Sequence, residues 1–359
     1  MTTSLAHSPA AVTTRPTGAL HERIRRDPGS FRVLTGDRPT GPLHVGHLFG
    51  TLRNRVRLQR LGVEMFVLIA DYQVLTDRDV ATRLAEHVDE LMLDYLAVGI
   101  DPHGPQAATI FTHSAVEPLN QLILPFLSLV SVAELRRNPT VKDEIAAAGL
   151  TSISGLMLTY PVHQAADILF CRANLVPVGR DQGPHVEITR LIARRFNARY
   201  CAGAPLFAEP EVMLGEAPLL TGLDGGKMSK SRGNAIALSA TADETAALIR
   251  RARTDSGRVI TYDPRQRPGV AGLLQLAALC LGRDPRDVAD EVGGAGAAAL
   301  KGLATDAVNE YLRPIRARRA QFATDRGELR RILREGNERA TEVAADTLAA
   351  VRTAMGMSY

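Results

Sequence analysis

At 359 residues the chain is long enough to bury a large core, and two domains are the natural expectation. With 43 basic and 39 acidic residues the formal charge is +4, mildly basic, compatible with a nucleic-acid partner without requiring one. Cys171, Cys201 and Cys280 lie far apart with no CxxC spacing, which argues against a disulfide scaffold or zinc site and fits a reducing cytoplasm, and no apolar run approaches the length of a bilayer crossing.

Residues 1–28, rich in Thr, Ala, Pro and Ser and without the apolar core of a signal peptide, read as a disordered N-terminal extension. A first domain is expected over 29–235. It opens on Phe31–Leu34, a short buried strand, which breaks at a turn containing Gly36, Pro39, Gly41 and Pro42. A helix then starts on His44-Val45-Gly46-His47 and runs to about Leu61, with Leu48, Leu52 and Val56 on its apolar face and Gly62 as its stop. Arg53, Arg55, Arg57 and Arg60 are assigned to its other face.

Such a strand-turn-helix start leaves backbone N–H groups facing outward, backed by the positive end of the helix dipole. That is an anion site, and two imidazoles three residues apart can add donors to it. Gly46 lets a flat base or ribose approach the backbone. No GxxxxGK[ST] run occurs, so the site is not a P-loop.

Met65–Asp71 is a continuous apolar run ending in an acid, the pattern of a central parallel strand. A helix carrying Leu84, Val88, Leu91 and Tyr95 follows, closed by Gly99 and Pro102, and Ala108–Ser114 reads as another strand. This alternation predicts an α/β, Rossmann-like, doubly wound parallel sheet. Ligands in such sheets lie beyond the carboxyl ends of the strands, so Gly36, Asp71 and the turn after Val178 should converge. Residues 116–165 read as a helical insertion, after which Leu175–Gln182 resumes the rhythm as strand and turn. A helix with Ile188, Ile192 and Phe196 on one face follows.

Past residue 236 no strand is expected. Thr241 with Glu244 forms a capping box, and alanine/leucine faces alternate with arginines to the end, predicting an all-α C-terminal domain over 236–359 whose last helix packs back on the first domain. The arginine stripes, Arg313 to Arg319 among them, read individually as solvated faces and together as a phosphate- or tRNA-binding face.

Taken alone, paired histidines at a helix start are as often a structural cap as an anion site. The stretch GLDGGKMSKSRGN, residues 222–234, bears on that choice. The chain contains four lysines, and two of them, Lys227 and Lys230, stand three apart in this polar loop. Positive charge elsewhere is written as arginine, so a compact ammonium on a flexible stem is wanted here, as for a phosphate clamp.

His44-Val45-Gly46-His47 resembles the first signature of the class I aminoacyl-tRNA synthetases, and Lys227-Met228-Ser229-Lys230-Ser231 the second, in the same order and at a similar separation. Within that class, LTYPVHQAADIL (Leu158–Leu169), VPVGRDQ (Val176–Gln182), LRPIRARR (Leu312–Arg319) and the tail AMGM are similar to the tryptophanyl-tRNA synthetases. The likeness spans about residues 31–357.

The resemblance implies ATP-dependent activation of L-tryptophan and its transfer to tRNA(Trp), with Mg2+ carried on the ATP phosphates, no resident metal, a homodimer and a cytoplasmic setting. It implies catalytic roles for His44, His47, Lys227 and Lys230. ATP contacts would come from Arg38, Pro39, Thr40, Gly46, His47, Gly179, Arg180, Asp181, Leu219, Lys227, Met228, Ser229, Lys230 and Ser231. The tryptophan pocket would comprise Gly36, Gln73, Tyr160, Gln164, Asp167 and Gln182, with Asp167 accepting the indole N–H and the helical domain holding the anticodon.

Arg38 stands where the commoner bacterial form has glutamine, Gln73 where it has histidine, Gln164 where it has an apolar residue, and Arg180 where it has an acid. Lys142 is the nearby candidate for the family's additional ATP-holding loop lysine. These departures resemble a second bacterial branch of the family. The competing expectations are the sister tyrosyl enzyme and a tryptophan- or tRNA-binding regulatory paralogue, which would be expected to have lost part of a signature; both signatures are intact.

Overall fold

The strand sequences alternate between two buried faces. Val33, Met65, Val67, Ile69 and Ile110 join one apolar cluster, while Leu34, Phe66, Leu68 and Phe111 join another. Successive side chains on a strand point to opposite sides, so runs that are apolar at every position require helices over both faces of the sheet.

The computed structural model describes residues 17–76, 83–139, 141–142, 153–178, 183–214, 220–226, 228–229 and 232–359. In chain order these form α1 (Thr17–Arg26), β1 (Arg32–Asp37), α2 (Val45–His47), a π-helical turn (Leu48–Leu52), α3 (Arg53–Arg60), β2 (Glu64–Ile69) and a 3-10 turn (Tyr72–Thr76). There follow α4 (Leu84–Val98), β3 (Thr109–Thr112), α5 (Glu117–Gln121), α6 (Ile123–Leu127), α7 (Val132–Arg137), α8 (Gly155–Leu169), β4 (Leu175–Val178), α9 (Gly183–Tyr200) and β5 (Glu211–Leu214). The chain closes with α10 (Ala242–Arg250), α11 (Pro268–Leu281), α12 (Pro285–Val292), α13 (Gly296–Ala323) and α14 (Arg326–Ala354).

The five strands lie parallel in the order β3-β2-β1-β4-β5. The order reverses at β1, which opens a crevice beyond its carboxyl end. Gly36, in register with Leu68, is the last residue but one of β1; a Cβ there would lie 2.4 Å from the Leu68 carbonyl oxygen, so the position admits no side chain. One face of the sheet is covered by α1 to α4 and the helices α10 to α13, the other by α5 to α9 and α14. The last helix does pack back: Gly336 of α14 lies so close to Ile110 that a Cβ would meet its carbonyl oxygen, and Asn337 Oδ1 accepts the Thr112 N–H of β3 at 2.9 Å. That contact satisfies part of an edge strand that would otherwise offer itself to another chain.

Several expectations need correction. Residues 17–26 are helical, with Leu20 and Ile24 buried in the core, so the expected disorder does not extend to residue 28; residues 1–16 lie outside the described residues. Two apolar residues at i and i+4 on an amphipathic turn sufficed, although the polar composition before them masked the signal. Strand β5 was not expected at all, and the helix after the first turn is interrupted by the π turn.

Arg55 does not face solvent. Its side chain is 2% exposed and paired with Asp37 at 2.5 Å. Nor is the late arginine stripe wholly a free face, although Arg313 remains 73% exposed beside Glu310. Arg316 donates to Asn309 at 2.9 Å and Thr245 at 2.8 Å, Arg318 to the Ala97 carbonyl at 2.7 Å, and Arg319 to Asp94 at 2.9 Å and to Glu90. These side chains hold the helical region against α4 and α10 because arginine supplies several fixed donors where buried acceptors need them.

Candidate active site

His44 caps α2 with extended backbone. Its Nδ1 accepts the Gly46 N–H at 3.1 Å, and its own N–H donates to His47 Nδ1 at 3.2 Å, a reciprocal capping box built from imidazoles. Because both Nδ1 atoms act as acceptors, the neutral rings carry their proton on Nε2. The rings sit 3.8 Å apart. The expected outward-facing backbone N–H groups are not found: Val45 N–H donates to Ile236 O, Gly46 N–H to His44 Nδ1 and His47 N–H to His44 O, so the anion-donor reading rests on the imidazoles, whose capping nitrogen sets the tautomer that leaves Nε2 as the donor.

The second signature segment arrives at the same place. A Cβ on Gly46 would lie 2.9 Å from Met228 Sδ, so the methionine of the KMSKS stretch packs on the glycine of HVGH. Beyond it the chain pairs with the first turn: Val45 N–H donates to Ile236 O at 3.0 Å and Leu238 N–H to Leu43 O at 2.9 Å. The base of the lysine loop is tied down by buried Asn234, which accepts the Ser229 N–H at 2.8 Å and donates to Asp224 at 2.7 Å. The Gly226 N–H and the Asn234 amide hold the Asp224 carboxyl below its ordinary pKa.

A polar cluster occupies the ends of β2 and β3. Asp71 accepts the N–H groups of Tyr72 at 3.0 Å and Ser114 at 3.2 Å, and also the Ser114 hydroxyl, so it braces the two strand ends. His113, fully buried just after β3, lies with Nε2 2.8 Å from Asp167 Oδ1. On α8, Tyr160, His163, Gln164 and Asp167 fall at i, i+3, i+4 and i+7, one side of the helix. His163 packs on His113 with ring centroids 4.3 Å apart, and burial pushes its pKa down, keeping it neutral at pH 7. Asp167 Oδ2 is buried without a hydrogen-bond partner among the described residues.

His113, His163 and Asp167 are close enough to hold a cation between them. The 2.8 Å separation of His113 Nε2 and Asp167 Oδ1 is, however, a hydrogen-bond distance, shorter than the roughly 3.3 Å between ligands around a tetrahedral Zn2+. The arrangement is a hydrogen-bonded pair with one carboxylate oxygen still to be satisfied.

The family described as tRNA synthetases class I (W and Y) matches residues 26–313. The chain belongs to this family. The tryptophan–tRNA ligase of Streptococcus pyogenes serotype M1 is 44% identical over 339 residues, covering 91% of this chain and 98% of that protein. The enzyme of that name from Streptococcus pneumoniae serotype 4 is 43% identical over 340 residues, covering 91% of this chain and 98% of that protein. Among solved structures, the tryptophanyl-tRNA synthetase of Campylobacter jejuni complexed with ADP and tryptophan superposes with a TM-score of 0.77 at 30% identity, covering 90% of this chain and 99% of that one. A tyrosyl-tRNA synthetase from Archaeoglobus fulgidus, at 23% identity and a TM-score of 0.62 with 80% and 90% coverage, shares the fold.

The residues that the class I likeness implies for ATP are partly gathered. Arg38 is exposed, Thr40 half-buried and Pro39 buried in the turn before His44, with His47 and Gly46 beside Met228. Gly179, Arg180, Asp181, Gln182, Leu219, Lys227, Lys230 and Ser231 lie outside the described residues. Of the pocket residues, Gly36 is exposed at the end of β1, and Gln73 sits half-buried in the 3-10 turn packed on α8. Tyr160 lies 3.2 Å through its hydroxyl from His185 Nε2. The sequence reading missed His113, His163 and Asn234. For His163 a signal existed, its position four residues before Asp167 on the same helix side; His113 is joined to Asp167 only by the fold.

Proposed function

We propose that the chain is a tryptophan–tRNA ligase that activates L-tryptophan with ATP and transfers it to the 3′ end of tRNA(Trp). The observation that carries this reading is the buried Asp167 carboxylate of α8, with one oxygen committed to His113 and the other without a partner among the described residues. The Streptococcus relatives at 43–44% identity bear that name, which supports it. An indole N–H satisfies the orphan oxygen, and a substrate lacking that donor leaves a buried carboxylate unpaired, so phenylalanine is rejected without editing.

In the first step a carboxylate oxygen of tryptophan attacks the α-phosphorus of ATP. The bond from that phosphorus to the bridging oxygen breaks and pyrophosphate leaves, taking its Mg2+ as part of the substrate. The nucleophile is already ionised, so the rate comes from positioning and charge stabilisation. His44 and His47, with protons on Nε2, orient the phosphates, and Pro39, Thr40 and Gly46 make the remaining phosphate and adenine contacts of the first signature. Lys227 and Lys230 neutralise the departing pyrophosphate, Met228, Ser229 and Ser231 seat the loop, and Gly179, Arg180, Asp181 and Leu219 hold the ribose and adenine. Gly36, Gln73, Tyr160, Gln164 and Gln182 line the tryptophan pocket.

In the second step the terminal ribose hydroxyl of the tRNA attacks the adenylate carbonyl and AMP leaves, with residues 236–359 holding the anticodon. Exposed Leu124 and Val132 of the insertion, at 76% and 57%, and Leu75 of the 3-10 turn after β2, at 62%, support a homodimer. The reaction belongs to the cytoplasm, and among the described residues no helix is long and apolar enough to cross a membrane. Exchange of labelled pyrophosphate into ATP with tryptophan, tyrosine or no amino acid tests the reading. Exchange with tryptophan alone is expected; exchange driven by tyrosine, or none, refutes it.

A further inference from the structure

We infer that His113 is a positioning residue that aims the ring-selecting carboxylate, so that discrimination for the indole N–H belongs to the His113–Asp167 pair rather than to Asp167 alone. This rests on the tryptophan reading above, in which Asp167 is the acceptor.

The His113 ring has no freedom. It is fully buried, stacked on Tyr72 at 6.1 Å with the planes 19° apart and packed against His163 at 4.3 Å. Its carbonyl accepts from Asn120 Nδ2 at 2.9 Å and from the Val116 N–H at 3.1 Å, which fixes the backbone after β3. A carboxylate oxygen 2.8 Å from Nε2 places the proton on that nitrogen. The competing acid, Asp71, stands 3.9 Å from Nδ1, beyond hydrogen-bond distance, and already accepts from Ser114 and Tyr72, so it does not draw the ring away.

The bond does two things. It occupies Oδ1, leaving Oδ2 as the oxygen that a ligand can satisfy. It also fixes the carboxylate plane, and therefore the direction from which an N–H must arrive. Without it the buried carboxylate can turn, and a ligand N–H meets an acceptor at a less favourable angle. His163 cannot take over, because its Nε2 lies 3.9 Å from Oδ1.

The test compares tryptophan with 3-(3-benzothienyl)alanine, in which sulfur replaces the indole N–H, in pyrophosphate exchange by the full-length enzyme. Wild type should prefer tryptophan by on the order of 10⁴ in kcat/KM. His113→Leu should lower kcat/KM for tryptophan about 10- to 100-fold, chiefly through KM, with KM for ATP and the benzothienyl substrate within about threefold of wild type. His113→Gln, whose amide can donate from near Nε2, should recover most of the preference. In an Asp167→Asn background, His113→Leu should add nothing. Equal losses for both substrates, or an unchanged preference in His113→Leu, overturn the positioning role. If Asp167→Asn keeps the preference, the indole reading falls first and the inference with it; if Asp167→Asn abolishes it and His113→Leu does not, only the inference falls.

Discussion

At the scale of single residues, the sheet end beneath the turn that leads to His44 is organised by one ion pair. Asp37 Oδ2 accepts from Arg55 at 2.5 Å and from the Tyr95 hydroxyl at 2.7 Å. Burial pushes the Asp37 pKa up, but the Arg55 charge and hydrogen bond outweigh it and hold the carboxyl below its ordinary 3.8. A depressed carboxylate pKa contributes stability that is fully present above the unfolded value and lost as pH falls through the folded one. Asp37→Asn, which strands Arg55, should lower stability by roughly 3–5 kcal/mol at pH 7 in urea unfolding. The gap from wild type should shrink below about pH 4, and an equal gap at pH 3 would remove the ion pair from the account. Much of this was hidden in the sequence. Arg55 reads as one of four arginines on a polar face because helical spacing cannot reveal an acid waiting on the neighbouring strand. His44 and His47 were legible, since their spacing and the helix start carry the meaning; His113 was not, since its partner lies 54 residues away.

At the scale of elements, the helical region is coupled to the first signature through Asp94. This fully buried side chain on α4 accepts the Leu43 N–H at 2.7 Å with one oxygen and Arg319 Nε of α13 at 2.9 Å with the other. The residue before His44 is thus held by a carboxylate that the helical region neutralises. Arg319→Met should lower kcat for adenylation about 10- to 100-fold, because the turn loses its anchor. Tryptophan affinity should stay near wild type, and steady-state exchange kinetics with tryptophan titration separate the two. Weakened tryptophan binding with unchanged kcat would contradict the coupling. The strand-helix alternation was readable because parallel strands buried on both faces leave apolar runs. β5 was not: Glu211–Leu214 is only four residues long, and it becomes a strand by pairing with β4. The LRPIRARR stretch, carrying Arg316, Arg318 and Arg319, reads as a nucleic-acid face until its partners are known.

At the scale of the whole molecule, two segments about 180 residues apart in sequence meet where Met228 packs on Gly46 and residues 236–238 pair with the turn at His44. Sequence order and motif identity foretold that meeting. The atoms that make it, a thioether on a bare glycine and an asparagine under the loop, required the fold. The central claim is that this junction closes on one triphosphate while Asp167 reads the ring beside it. Its most direct test is tryptophan-dependent pyrophosphate exchange by Lys230→Ala, set beside tryptophan affinity read from ligand fluorescence, since the chain contains no tryptophan. The account predicts kcat lower by about 100- to 1000-fold with tryptophan affinity unchanged. A kcat near that of wild type would contradict it.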